Sequence, residues 1–112
     1  MTSLAVIRQR SHSRRLATLR EGIAGLLPQH PGAEVWLFGS LARGDWDAFS
    51  DVDLLAVAPT PPLADALADA LLAESLADDV IALSQSRWQS LRGGDDPYWR
   101  AIGREALRLD QP

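Results

Sequence analysis

Apolar residues recur at three- and four-residue spacing from about Ser3 to Leu27, through Leu16, Leu19, Ile23 and Leu26. That is the period of an amphipathic helix. Pro28 and the Gln29-His30-Pro31-Gly32 cluster end it, since proline and glycine interrupt the helical ladder. Ala33-Glu34-Val35-Trp36-Leu37-Phe38 is a short apolar run with the length of a buried strand, and Gly39-Ser40 stops it. A polar stretch with room for a short helix follows, then a second apolar run from Val52 to Ala58, too distant from the first for a tight hairpin. Pro59-Thr60-Pro61-Pro62 breaks that run, and proline in a first turn can open a helix. Leu63, Leu67 and Leu71, with Ala66 and Ala70, predict that helix through about Ala77. Asp79-Val80-Ile81-Ala82-Leu83 reads as a third strand, and Ser86 to Leu91 as a helical turn before Gly93-Gly94. Pro97 opens a last helix, with Tyr98, Ile102, Ala106 and Leu107 predicted inward.

The order helix, strand, strand, helix, strand, helix predicts an α+β fold, an α/β sandwich in which helices cover one face of a small mixed sheet. At 112 residues with no internal repeat, residues 1–112 are expected to form one domain. Its parts are an Arg-rich helix in residues 1–30 and a core in residues 33–109. Hydrophobic residues at 46% and charged residues at 23% match a globular chain rather than a disordered one. No apolar run is long enough to cross a bilayer, and no signal peptide is recognisable at the start. The expectation is a cytoplasmic protein with no membrane partner. The lack of cysteine removes disulfides, thiolate catalysis and Cys-ligated zinc. Every basic residue is Arg, which excludes Schiff-base and Walker-type lysine chemistry.

Net charge is −4, unevenly divided. Residues 1–30 carry Arg8, Arg10, Arg14, Arg15 and Arg20 against Glu21, which leaves that segment at +4 and the remainder at −8. The basic segment could face a phosphate, or it could be a solvated helix face. With no compact basic stripe, nucleic-acid binding is not expected of this acidic chain.

Two places carry candidate chemistry. Gly39 ends a buried strand, where a residue free to adopt unusual backbone angles lets a phosphate approach the main chain. Ser40 can cap the short helix Leu41-Ala42-Arg43, whose free N–H groups favour an anion. Gly-Ser after a strand is also an ordinary capped turn. The second place is Asp51-Val52-Asp53. On an extended strand these carboxylates share a face, about 6.5–7 Å apart along the chain. So placed, they can share a pair of divalent ions held about 3.5–4 Å apart. Magnesium takes hard oxygen ligands and leaves room for substrate phosphates. Asp is disfavoured in strands, so two of them opening an apolar run are either ligands or solvated strand-start acids. Asp45-Trp46-Asp47 has the same spacing but leads into no apolar run, and Trp46 is either a base-stacking or an incidental surface aromatic. A third carboxylate would help ionise an attacking hydroxyl. Asp79, at a strand start, is the candidate, with Asp78 as the alternative, because one residue of register decides which faces the site.

The run Val35-Trp36-Leu37-Phe38-Gly39-Ser40-Leu41-Ala42-Arg43-Gly44, the ten residues Leu41 to Ser50, and Asp51-Val52-Asp53-Leu54-Leu55 together resemble the minimal nucleotidyltransferases of the DNA polymerase β-like superfamily. That family's signature is Gly-Ser, about ten residues, then Asp-x-Asp. Val80 through Ser84, Trp88, Pro97-Tyr98, Ile102 and Glu105 are similar to the C-terminal part of its small stand-alone members. The resemblance covers about Ala33 to Leu109 and leaves the Arg-rich start least matched.

The resemblance implies that Gly39 and Ser40 hold the triphosphate, that Arg43 touches phosphate or braces the loop, and that Asp51, Asp53 and Asp79 ligate magnesium, with two ions expected. The implied reaction is attack of an acceptor hydroxyl on the α-phosphorus of ATP or another nucleoside triphosphate, releasing pyrophosphate. His12 and His30 are given no role. Small members of the family are often paired with helical HEPN partners, some as toxin–antitoxin systems. Larger members carry a further domain for the acceptor, which a sequence of 112 residues is not expected to hold, so a HEPN-type partner or a second copy is expected to supply that surface. The same lack disfavours adenylylation of an antibiotic. The competing reading is a catalytically weak module that regulates a partner by contact.

Overall fold

The computed structural model describes residues 3–44 and 51–111. The first helix, α1 (Leu4–Leu26), starts where the Ser3 hydroxyl accepts the Val6 N–H at 3.2 Å. It ends in a 3-10 turn over Leu27–Gln29, set by Pro28. Only its C-terminal half has an apolar face: Leu19 and Ile23 are buried, and Leu16 and Leu26 pack beside them. Residues 4–11 are exposed throughout.

The strands are β1 (Glu34–Phe38), β2 (Asp53–Ala58), β3 (Asp79–Ser84) and β4 (Leu107–Arg108). They form a mixed sheet in the order β3-β2-β1-β4. β1 is antiparallel to β2 and β4, whereas β2 and β3 run parallel. Parallel neighbours require a crossover, and α3 (Pro61–Ala73) supplies it. Between β1 and β2 lies the single turn α2 (Ser40–Arg43); α4 (Gln85–Arg92) and α5 (Pro97–Glu105) follow β3.

α3 opens with Thr60 accepting the Leu63 N–H at 3.4 Å and Pro61 in the first turn. Its buried face is Ala64, Leu67, Ala68 and Leu71, so the predicted stripe was rotated: Leu63 and Ala66 lie toward solvent. The helix also stops before Ala77. Ser75 turns to φ 56°, and the Leu76 N–H closes back on the Leu71 carbonyl at 3.0 Å, a left-handed C-terminal cap.

The mixed sheet and its α1–α3 layer match the expected sandwich. Leu19, Ile23, Val35, Leu37, Leu54, Leu67 and Leu71 form that core. The second face, expected bare, also carries a layer: Leu55 and Val57 are buried under Trp88 of α4 and Ile102 of α5, with Trp36, Phe38, Ile81 and Trp99 around them. β2 is apolar at every position from Leu54 to Ala58 and buried at each, the mark of a strand covered on both sides. At the C-terminal end the last helix finishes at Glu105, and Leu107, predicted inward on it, instead pairs with Leu37 as an edge strand. Tyr98, also predicted inward, is 59% exposed, and its neighbour Trp99 takes the inner position. Among the described residues no helix is long and apolar enough to cross a membrane.

Candidate functional site

β1 delivers the chain to Gly39, whose φ of 80° and ψ of −161° fall in a region open essentially to glycine alone. Gly39, not Ser40, is the N-cap of α2: its carbonyl accepts the Ala42 and Arg43 N–H groups at 3.1 Å each. Ser40 is the first residue of the turn and makes no side-chain cap, which corrects the expected capping role. Leu41 is fully buried and pins the turn to the core, and its carbonyl lies 3.0 Å from His12 Nε2 of α1. That brace between α1 and α2 has no sequence signal, because the partners lie 29 residues apart.

The sheet places the acids beside this turn. Phe38 pairs with Asp53, and Asp53 pairs with Asp79. Directly opposed residues share a face, so Asp53 and Asp79 are neighbours on the side occupied by Phe38. Gly39 lies so close that a Cβ built on it would stand 2.6 Å from Asp53 Oδ2. Asp51 is exposed and precedes β2, which begins at Asp53 rather than Val52. The strand ladder therefore does not hold Asp51; Val52 does. Its side chain is buried in the α1–α3 core, and its backbone is bonded at both groups. The Val52 N–H donates to Asp78 Oδ2 at 2.7 Å, and the Val52 carbonyl accepts from the Asp78 and Asp79 N–H groups at 2.9 and 3.3 Å. Asp78 is thus a backbone clasp, whereas Asp79 stands in register with Asp53.

Partial burial holds the Asp53 carboxyl above the usual aspartate range, and the nearby charges of Asp79, Asp51 and Asp78 push it further the same way. Such a cluster favours a cation. Among the described residues no group of three or more His, Asp or Glu side chains is placed to hold a metal ion; the paired Asp53 and Asp79 offer the hard oxygen donors that magnesium takes, with water and phosphate oxygens completing its shell.

Arg43 closes α2 and pairs with Glu105 of α5 at 3.5 Å. Both line a cavity of about 250 Å³ with Phe38, Gly39, Tyr98, Ala101 and Ile102. A larger groove of about 550 Å³ lies between α1 and the α3–β3 turn, lined by Arg14, Arg15, Val52, Ser75 and Asp78 among others. The Asp45-Trp46-Asp47 triplet and Ser50 lie outside the described residues.

Comparison with known proteins bears on this arrangement at two levels. Among solved structures, a crystal structure of a toxin–antitoxin with AMP-PNP is similar to this chain, with a TM-score of 0.52 and 21% identity over 83% of this chain and 73% of that one. At that identity the likeness speaks for the fold. No curated protein sequence matches. Residues 16–87, from the buried half of α1 into α4, match the family described as nucleotidyltransferase domain. That span contains Gly39, Ser40, Arg43, Asp51, Asp53 and Asp79. The chain belongs to the nucleotidyltransferase domain family and is an enzyme of the nucleotidyltransferase class.

Proposed function

We propose that this domain transfers a nucleoside monophosphate, AMP from ATP in the first instance, to a hydroxyl on a partner protein. The observation that carries the reading is the junction of Gly39, Asp53 and Asp79 at one end of the sheet, with Asp51 one residue beyond Val52. In this reading Asp51, Asp53 and Asp79 hold two magnesium ions, while Gly39, Ser40 and Arg43 receive the triphosphate. What supports Asp79 over Asp78 as the third acid is that the Asp78 carboxylate is engaged by the Val52 N–H.

The bound metal supplies charge neutralisation for the triphosphate and lowers the pKa of a coordinated hydroxyl. The chain's own groups orient and exclude. Gly39, lacking a side chain, lets the phosphates reach the main chain beside Asp53. Asp79 accepts the proton of the acceptor hydroxyl as its oxygen bonds to the α-phosphorus, and pyrophosphate departs. Fixed positions and fixed charges of this kind account for most of the rate in phosphoryl-type transfers.

The partner is part of the proposal. The structural neighbour is a toxin–antitoxin, and residues 1–112 are taken as one catalytic unit whose α1 arm meets a helical, HEPN-type partner. Leu4 and Ile7 are 84% and 49% exposed on that Arg-rich arm, a mixed apolar and basic surface suited to an acidic, helical surface.

The test is to incubate the protein with magnesium, α-labelled ATP and the product of the adjacent gene, then look for label on protein. Label that survives Asp51→Ala combined with Asp53→Ala overturns the site assignment. No transfer, with tight partner binding retained by that double variant, supports regulation by contact instead.

A further inference from the structure

The cavity beside Gly39 has features that phosphate and metal binding do not use. It shares Gly39 and Arg43 with the proposed phosphate site, and Tyr98, Ala101, Ile102 and Glu105 of α5 complete its lining with Phe38. At about 250 Å³ it is smaller than the roughly 300–1,000 Å³ of sites that enclose a drug-sized ligand, so it suits one planar ring system rather than a whole nucleotide. Its floor is apolar, with Phe38, Ala101 and Ile102. Its polar lining is the Glu105 carboxylate, which is paired with Arg43 at 3.5 Å and has acceptor oxygens.

Tyr98 gives the cavity a ligand chemistry. Trp36, Phe38, Trp88 and Trp99 all pack in the core of the second face, whereas Tyr98 is 59% exposed. Its ring is not loose. It stands against Trp99 at 5.5 Å between centroids and 83° between planes, a favourable edge arrangement. Its backbone is fixed as well, because the Tyr98 N–H donates to Asp96 Oδ1 at 2.9 Å and Pro97 opens the helix. An exposed aromatic braced by an edge contact, on the lining of a largely apolar cavity, can serve as a stacking platform.

We propose that this cavity seats the nucleobase of the substrate, stacked on Tyr98 with its polar edge toward Glu105, while the triphosphate runs past Gly39 and Arg43 to the acids. The inference rests on the nucleotide reading above and adds the residue that recognises the base. It makes Tyr98 a binding residue, outside the chemistry of transfer.

The experiment compares magnesium-ATP with magnesium-tripolyphosphate, which has no base, by calorimetric titration of the whole protein. ATP should bind the wild type more tightly than tripolyphosphate. Tyr98→Ala should weaken ATP by about 5- to 150-fold, the range of one base–aromatic stack, and leave tripolyphosphate unchanged. Tyr98→Phe, which keeps the ring, should stay within about threefold of wild type. Thermal melts establish that each variant is folded. An unaltered ATP affinity in Tyr98→Ala, an equal loss for both ligands, or a wild type that gains nothing from the base would each overturn the proposal. If neither ligand binds the wild type, the nucleotide reading itself fails.

Discussion

Replacing Gly39 with alanine tests the site through its backbone. The substitution has two separable costs. Gly39 sits at φ 80° and ψ −161°, and a side chain there costs about 1–3 kcal/mol of strain. At this chain length each kcal/mol corresponds to roughly 4 °C in melting temperature, so a fall of about 4–12 °C is expected. The second cost is local. The new Cβ would lie 2.6 Å from Asp53 Oδ2, and Asp53 must retreat by roughly 1 Å to reach ordinary van der Waals separation. Misplacement on that scale at a reacting centre costs on the order of a hundredfold in rate.

Gly44→Ala separates the two effects. Gly44 also has positive φ, 83°, but a Cβ there meets nothing within 4 Å among the described residues. It should lose about 1–2 kcal/mol from the left-handed backbone and keep its turnover. Scanning calorimetry gives the stabilities, and initial rates in the labelled-ATP assay of the proposed function give the activities. A folded Gly39→Ala protein with wild-type turnover would refute the placement of Asp53 in the reacting centre. Equal activity losses in both variants would show that the contact with Asp53 is irrelevant.

Two further predictions concern the acids and the second face. The folded-state pKa of Asp53 is raised, so the native protein holds its proton more tightly than the unfolded chain. The resulting stability is full below the unfolded pKa and is lost as pH rises through the folded one. At pH 7 without magnesium, Asp53→Asn should therefore melt above wild type, with the gap closing toward pH 4; a variant that melts lower at pH 7 contradicts the electrostatics. Trp88 is 1% exposed and its indole N–H finds no hydrogen-bond partner among the described residues. Trp88→Ala should cost about 3–5 kcal/mol in urea unfolding, and Trp88→Phe clearly less, because it also removes an unpartnered buried donor; equal losses would show that the ring is not part of the second core.

The legible parts of this molecule are those written locally in the chain. The Gly39-Ser40 turn and the Asp51-Val52-Asp53 run are short, and the apolar stretch from Leu54 to Ala58 marks β2 without any partner in view. What escaped the sequence depends on pairing or on single degrees of rotation. Asp78 and Asp79 are adjacent, and only the register Asp53 to Asp79 shows which one faces the sheet neighbour. Tyr98 and Trp99 are likewise adjacent on a nine-residue helix, where about 100° of rotation exchanges inside and outside. β4 is two residues long and leaves no period to read. The cap at Gly39 carries no sequence signal, because a serine hydroxyl advertises capping whereas a glycine dihedral advertises nothing. The second helical layer had a signal that was open to reading: a strand apolar at consecutive positions has no face left for water.

Strand alternation also accounts for the two-residue spacing of Asp51 and Asp53. Adjacent acids at the start of a strand would point to opposite faces, sending one carboxylate into the α1–α3 core. With Val52 between them, that inward position is filled by a buried apolar side chain. The flanking carboxylates remain close enough for Asp51 to raise the pKa of Asp53. Val52 is also fixed along the chain, because both its backbone groups bond to the Asp78–Asp79 corner. Burial of one valine therefore sets the separation of Asp51 and Asp53, and the corner that clasps its backbone brings Asp79 alongside. Mutual repulsion among these acids opposes the arrangement, and the apolar anchor at Val52 holds it against that repulsion.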